Sequence, residues 1–176
     1  GLEVVEIRLE DRPYLTAEMV EAEHKRAPLK GILFASPANP TGASVPPEEL
    51  DMLVKTAEAL GIAVISDEIY HRLNFTGADH TALSCSDTVT VINSFSKYYC
   101  MTGWRIGWMV LPEKLVRPIE RIQQSLYISA PELSQIAAVA AFSATDELEA
   151  VKQRYAANRE LLGERLPLLR FPLAAP

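Results

Sequence analysis

Lys97 is a primary amine set among hydroxyls, in the run Ser94-Phe95-Ser96-Lys97, directly after the apolar stretch Val89-Thr90-Val91-Ile92. Arg105 follows within the segment Met101-Thr102-Gly103-Trp104-Arg105-Ile106-Gly107. A strand that delivers Lys97 into a loop beside Ser94, Ser96 and Arg105 places an amine next to a site for a dianion. This combination suits a phosphate-bearing aldehyde: the amine forms a Schiff base and the neighbouring donors hold the phosphate. Taken alone, a lysine after a strand is usually just a surface charge, because short motifs match by chance. Other positions along the chain must therefore support the chemistry.

Three further residues do so. Asn39 lies in Ser36-Pro37-Ala38-Asn39-Pro40-Thr41-Gly42, dense in turn residues, directly after the apolar run Gly31-Ile32-Leu33-Phe34-Ala35. Asp67 and Tyr70 follow a second apolar run, Ile62-Ala63-Val64-Ile65. In an open parallel sheet, ligands bind outside the carboxyl ends of the strands. An amide, a carboxylate, a phenol and a lysine all fall at such ends. Each has an ordinary reading as well: Asp67 as a helix cap, Tyr70 as an edge aromatic, Asn39 as a turn residue and Arg105 as a strand-edge charge. Their convergence carries more weight than any one of them.

The elements that must position these groups read as an α/β domain. Val4 to Leu9 alternates apolar and charged residues and predicts a short strand. Thr16 predicts an N-cap, with Leu15 and Val20 as a hydrophobic staple, for a helix running to about His24 or Lys25. The runs at 31–35 and 62–65 read as strands buried on both faces. Between them Pro46-Pro47-Glu48-Glu49 opens a helix whose Leu50, Leu53, Val54, Ala57 and Leu60 share one face, and Gly61 stops it. Strand, helix and strand at this spacing form a βαβ unit with parallel strands and a right-handed crossover. Val89 to Asn93 predicts another strand. So does 104–110, whose period of two sets Trp104, Ile106 and Trp108 on one face, with Trp104 and Trp108 read as core rather than substrate contacts.

Beyond Pro112 the pattern is helical, with Leu115, Ile119, Ile122 and Leu126 as a stripe and Pro118 as a possible kink. Pro131 to Phe142 is apolar nearly all round and reads as a buried helix. Asp146 to about Leu166 reads as a long charged helix able to leave the first domain. That helix divides the chain into 1–145 and a segment 146–176 leading away from it.

Composition narrows the partners. The 176 residues are 48% hydrophobic and 23% charged, ordinary for a globular domain. A formal net charge of -6 argues against nucleic acid, which wants a basic face. No apolar run is long enough to span a bilayer, so the cytoplasm is the default. Cys85 and Cys100 are too few for a disulfide framework and lack metal-site spacing. His71 and His80 have no evident partner in the sequence. The chain starts at Gly1 in an apolar segment and stops at Phe171-Pro172-Leu173-Ala174-Ala175-Pro176, so both ends are expected to be cuts in a longer protein.

Four motifs in order, Asn39-Pro40-Thr41-Gly42, Asp67-Glu68-Ile69-Tyr70, Ser94-Phe95-Ser96-Lys97 and Gly103-Trp104-Arg105-Ile106-Gly107, resemble the fold-type I pyridoxal-phosphate aminotransferases of class I/II. The resemblance implies a three-layer α/β/α large domain with a mainly parallel sheet, incomplete here. It implies pyridoxal 5'-phosphate as cofactor, with Lys97 as its Schiff-base lysine and Asp67 facing the pyridine nitrogen. Tyr70 and Asn39 would bond the 3-oxygen, and Ser94, Ser96 and Arg105 would hold the phosphate. It further implies transamination between an amino acid and a 2-oxo acid, and a homodimer. The catalytic set is then Lys97, Asp67 and Tyr70.

Competing readings are a cofactor-binding sensor domain of a transcription regulator and a pyridoxal-phosphate β-lyase. A serine–lysine acyl enzyme is excluded, because Ser66-Asp67-Glu68 and Lys55-Thr56-Ala57 each fail its companion motifs at the last position. Family members also have an earlier segment that stacks on the cofactor and a later one with a carboxylate-binding arginine. Neither is recognisable here, so the fragment alone is expected to be weak or inactive.

Overall fold

The computed structural model describes residues 1–9, 12–75 and 77–166. Helix α1, Ala17–Arg26, starts where Thr16 Oγ1 accepts the Met19 N–H at 3.4 Å. Strand β1 is Gly31–Ala35, helix α2 Pro47–Ala59 and strand β2 Ala63–Asp67. Strand β3, Thr90–Ser94, and strand β4, Gly107–Val110, complete a four-stranded sheet of order β1-β2-β3-β4. The first two pairings are parallel, as the βαβ pattern requires, and β4 returns antiparallel. Helices α3, Glu113–Leu126, α4, Glu132–Ala141, and α5, Thr145–Arg165, follow.

The register defines two different faces. Ile32, Phe34, Val64 and Val91 lie on one of them and join Val20, Leu50, Leu53 and Val54 in the main core under α1 and α2. Trp108 is on the same face, opposite Asn93, and packs with Phe95, Tyr99 and Phe142. A second small cluster, Phe95, Met101 and Ala138, joins this region to α4. The other face carries Leu33, 70% exposed, together with the exposed Met109.

Several expectations need correction. Val4 to Leu9 forms no strand: alternation alone cannot hold an edge without a partner strand, and Val4 is 87% exposed. β1 is buried on one face only, because no described layer covers Leu33. Helix α4 is not buried. Only Ser134 and Ala138 are, and Leu133, Ile136 and Val139 are exposed. No residue of α3 is buried either, so its apolar stripe is only partly covered.

The predicted strand at 104–110 begins three residues late. Trp104 lies in a 3-10 turn, Thr102–Trp104, and is exposed rather than core, and Arg105 takes a left-handed backbone with φ of 50°. The expectations for Phe171 to Pro176 lie outside the described residues, as does the end of the 146–176 segment.

Among the described residues no helix is long and apolar enough to cross a membrane, and no cluster of metal-binding side chains occurs.

Candidate active site

The three predicted site loops leave the same edge of the sheet. Ala35, Asp67 and Ile92 lie side by side in register, so the chain exits β1, β2 and β3 at adjacent points. Beyond β1, the Pro37–Gly42 turn closes through Ala38 and Gly42, whose φ of 75° suits glycine. Ser36 Oγ accepts the Val45 N–H at 3.0 Å and ties that turn to the start of α2. Asn39 is exposed on it. Asn39 and Tyr70 both line a cavity of about 310 Å³, with Pro40, Leu73, Phe75 and Arg159 among its walls.

Asp67 is the last residue of β2. Its Oδ1 accepts the Ile69 N–H at 3.1 Å, so the capping role that its position allowed exists as a tight local turn rather than a helix. The carboxylate meets no lysine, arginine or histidine at ion-pair distance among the described residues. Lys97 is half-buried, and its Nζ sits 5.2 Å from the centroid of the Tyr70 ring, within cation–π range. It too has no ion-pair partner among the described residues. Neither side chain is taken up by an ion pair among the described residues, which leaves each available to a ligand.

The segment after β3 is a compact hydroxyl-rich loop. Ser94 Oγ accepts the Ser96 N–H at 3.0 Å, and Thr102 Oγ1 donates to the Ser96 carbonyl at 2.8 Å. Arg105 Nη1 donates to the Thr102 carbonyl at 2.9 Å. These contacts bring Ser94, Ser96 and Arg105 into one cluster. Its left-handed conformation folds Arg105 back over the loop, and such backbone strain concentrates at functional sites. Gly107 permits the closure: a Cβ there would meet the Asn93 carbonyl oxygen at 2.6 Å. Ser94 Oγ also donates to the Ile106 carbonyl at 3.4 Å, so the remaining Arg105 donors and the Ser96 hydroxyl are the groups that can serve an anion with charge-assisted bonds.

Reading the sequence missed three participants. Glu68 is buried beneath the Asp67–Tyr70 turn, although the period of two in β2 already put an acid on the buried face, where it needs partners. Thr102 ties the two halves of the loop. Tyr98, next to Lys97, is buried and donates from its hydroxyl to Glu149 Oε1 of α5 at 2.6 Å, with the Arg72 guanidinium 4.9 Å from its ring. Burial, reinforced by the Glu149 carboxylate, pushes the Tyr98 phenol above its ordinary value. Nothing in the local sequence announced that 51-residue link. His71, expected to be structural, stands 3.4 Å from Glu68 through Nδ1. His80 meets Ser84 Oγ at 3.0 Å.

The architecture is thus an α/β sheet with an amine, an acid and an anion cradle at its carboxyl edge. The family described as "Aminotransferase class I and II" matches residues 1–176, and the chain belongs to it. It is 44% identical to the valine–pyruvate aminotransferase of Mycobacterium tuberculosis over 182 aligned positions, covering 100% of this chain and 46% of that protein. It is 38% identical to an arginine–pyruvate transaminase of Pseudomonas aeruginosa, over 78% of this chain and 36% of that one.

Among solved structures, an aminotransferase from Mycobacterium tuberculosis superimposes with a TM-score of 0.79 at 46% identity, over 85% of this chain and 41% of that one. An aspartate aminotransferase mutant from Thermus thermophilus gives 0.82 at 28% identity, over 90% and 45%. The chain therefore spans less than half the length of these relatives.

Proposed function

We propose that the protein carrying this chain is a pyridoxal 5'-phosphate-dependent aminotransferase that moves an amino group between an amino acid and a 2-oxo acid. The observation that carries this reading is the pairing of an unneutralised lysine and an unneutralised carboxylate beside a hydroxyl–arginine cradle, all at one sheet edge. The donor set fits the cofactor in charge: Ser94, Ser96 and Arg105 would hold its phosphate, and Asp67 its protonated ring nitrogen. Tyr70 and Asn39 would bond the 3-oxygen, and the Lys97 amine would hold the aldehyde carbon. When bound, the cationic ring withdraws electrons from the substrate α-carbon and acidifies its proton.

The protein's part is positional and acid–base. An anionic Asp67 keeps the ring nitrogen protonated. A Lys97 amine freed by substrate is placed to carry the α-proton. Arg105 orients by its phosphate grip and takes no proton.

Under the same reading, residues 1–145 belong to the cofactor domain and 146–176 lead towards a second domain. The full protein is a cytoplasmic homodimer, and this fragment alone turns over weakly or not at all. Valine–pyruvate and arginine–pyruvate relatives make pyruvate the first acceptor to try. The test is amino-group transfer by the full-length protein from a panel of amino acids. Lys97→Ala should lower kcat by at least about a thousandfold. Retained turnover in that variant would refute the assignment.

A further inference from the structure

Glu68 is a carboxylate only 2% exposed, lying in sequence between the two residues proposed to face the cofactor ring. A buried acid of this kind requires partners, and Glu68 has them on every side. Its Oε1 accepts both the Ser66 hydroxyl at 3.1 Å and the Ala82 N–H at 2.8 Å. Its Oε2 faces His71 Nδ1 at 3.4 Å. Its own N–H donates to the Ile92 carbonyl at 2.8 Å, continuing the β2–β3 ladder one residue past the end of β2.

Alternation along β2 sends Ser66 and Glu68 to the core side and Asp67 to the other. The Asp67–Tyr70 turn is therefore clamped from below at both ends. The Ser66 and Ile92 bonds hold its start, and His71, whose N–H donates to the Glu68 carbonyl at 3.0 Å, holds its end. The Ala82 bond ties the whole turn to a buried residue fourteen positions on.

We propose that Glu68 is a positioning residue: its buried carboxylate fixes the turn that aims the Asp67 carboxylate and the Tyr70 phenol at the cofactor ring. This rests on the function proposed above. Glu68 touches neither substrate nor cofactor. Its removal strands the Ala82 N–H and the Ser66 hydroxyl, and the turn relaxes to satisfy them. A displaced Tyr70 donates less well to the 3-oxygen, which raises the proton affinity of the group formed at Lys97.

The experiment uses the full-length protein with added pyridoxal 5'-phosphate, following the Lys97-dependent visible band across pH, cofactor affinity, and the unfolding midpoint without cofactor. Glu68→Ala should weaken cofactor binding by about tenfold and move the pH midpoint of the band upward by about half a unit or more. Glu68→Gln, whose amide oxygen accepts the same two bonds, should stay within about twofold of wild type in affinity. A merely structural residue would lower the unfolding midpoint and leave the pH midpoint in place, and that result would overturn the proposal.

A Glu68→Gln variant as damaged as Glu68→Ala would overturn it too. Should Glu68→Ala not fold, Ser66→Ala decides: an upward shift supports the proposal, and an unmoved midpoint refutes it. A wild-type protein with no Lys97-dependent band refutes the proposed function itself, which separates that failure from this one.

Discussion

The two faces of the sheet differ in how far this chain completes them. Under α1 and α2, Leu50, Leu53, Val54 and Ala57 interlock with Ile32, Val64 and Val91, and almost nothing is left open. On the opposite face Leu33 and Met109 meet solvent; elsewhere, α3 and α4 also leave Val116, Ile122, Leu133 and Ile136 exposed. The closed face is also the one that roots the site, since Ser36, Ser66 and Glu68 are all buried there, directly behind the strand ends. Local anchoring of the site loops is thus supplied by this chain.

That contrast can be broken most forcefully in the closed core. Leu53→Ala removes a side chain with no exposure and should cost about 2–5 kcal/mol in urea unfolding of the chain. Ile136→Ala, on the open side of α4 and 62% exposed, should stay within about 0.5 kcal/mol. Equal losses would erase the distinction between the closed core and the open surface of the chain.

A smaller effect is expected where the Lys97 loop meets α5. Tyr98→Phe deletes the bond to Glu149 and should cost about 1 kcal/mol, with faster amide exchange at the start of α5. The phenol's raised pKa gives the sign: its contribution is present below the unfolded value of about 10 and is lost as pH rises through the folded one. The wild type should therefore lose alkaline stability that Tyr98→Phe does not.

The smallest effect concerns Glu58 at the end of α2, where hydrogen bonds from Ser86 and Thr88 hold the carboxyl below the usual range. Its contribution is present above the unfolded value of about 4.3 and fades as pH falls through the folded one. Ser86→Ala should flatten the acid limb of the stability profile slightly.

The closed face and the positions of the candidate residues at the strand ends were the parts legible in the sequence. The period of 3.6 in α2, the two apolar strands and the proline–acid start of the helix all act locally, so they placed Asn39, Asp67 and Ser94 at the correct strand ends. Thr16 likewise capped α1 as its type demands. What failed needed partners that no local pattern contains. Val4 to Leu9 alternates like a strand but lacks a neighbour to pair with. The alanine-rich α4 looks like a core helix but has little to bury against. Trp104 reads as strand because period two extends through it, whereas the left-handed turn at Arg105 interrupts the strand there. The Tyr98–Glu149 and Glu68–Ala82 links join distant residues and carry no sequence signature beyond a buried polar group in want of a partner.

The most direct measurement of the central claim is borohydride reduction of the full-length protein loaded with pyridoxal 5'-phosphate, followed by peptide mapping. A pyridoxyl group fixed on the peptide containing Lys97, and absent from Lys97→Ala, is the predicted result. A label on another lysine, or none on a protein that nonetheless transfers amino groups, would contradict the account.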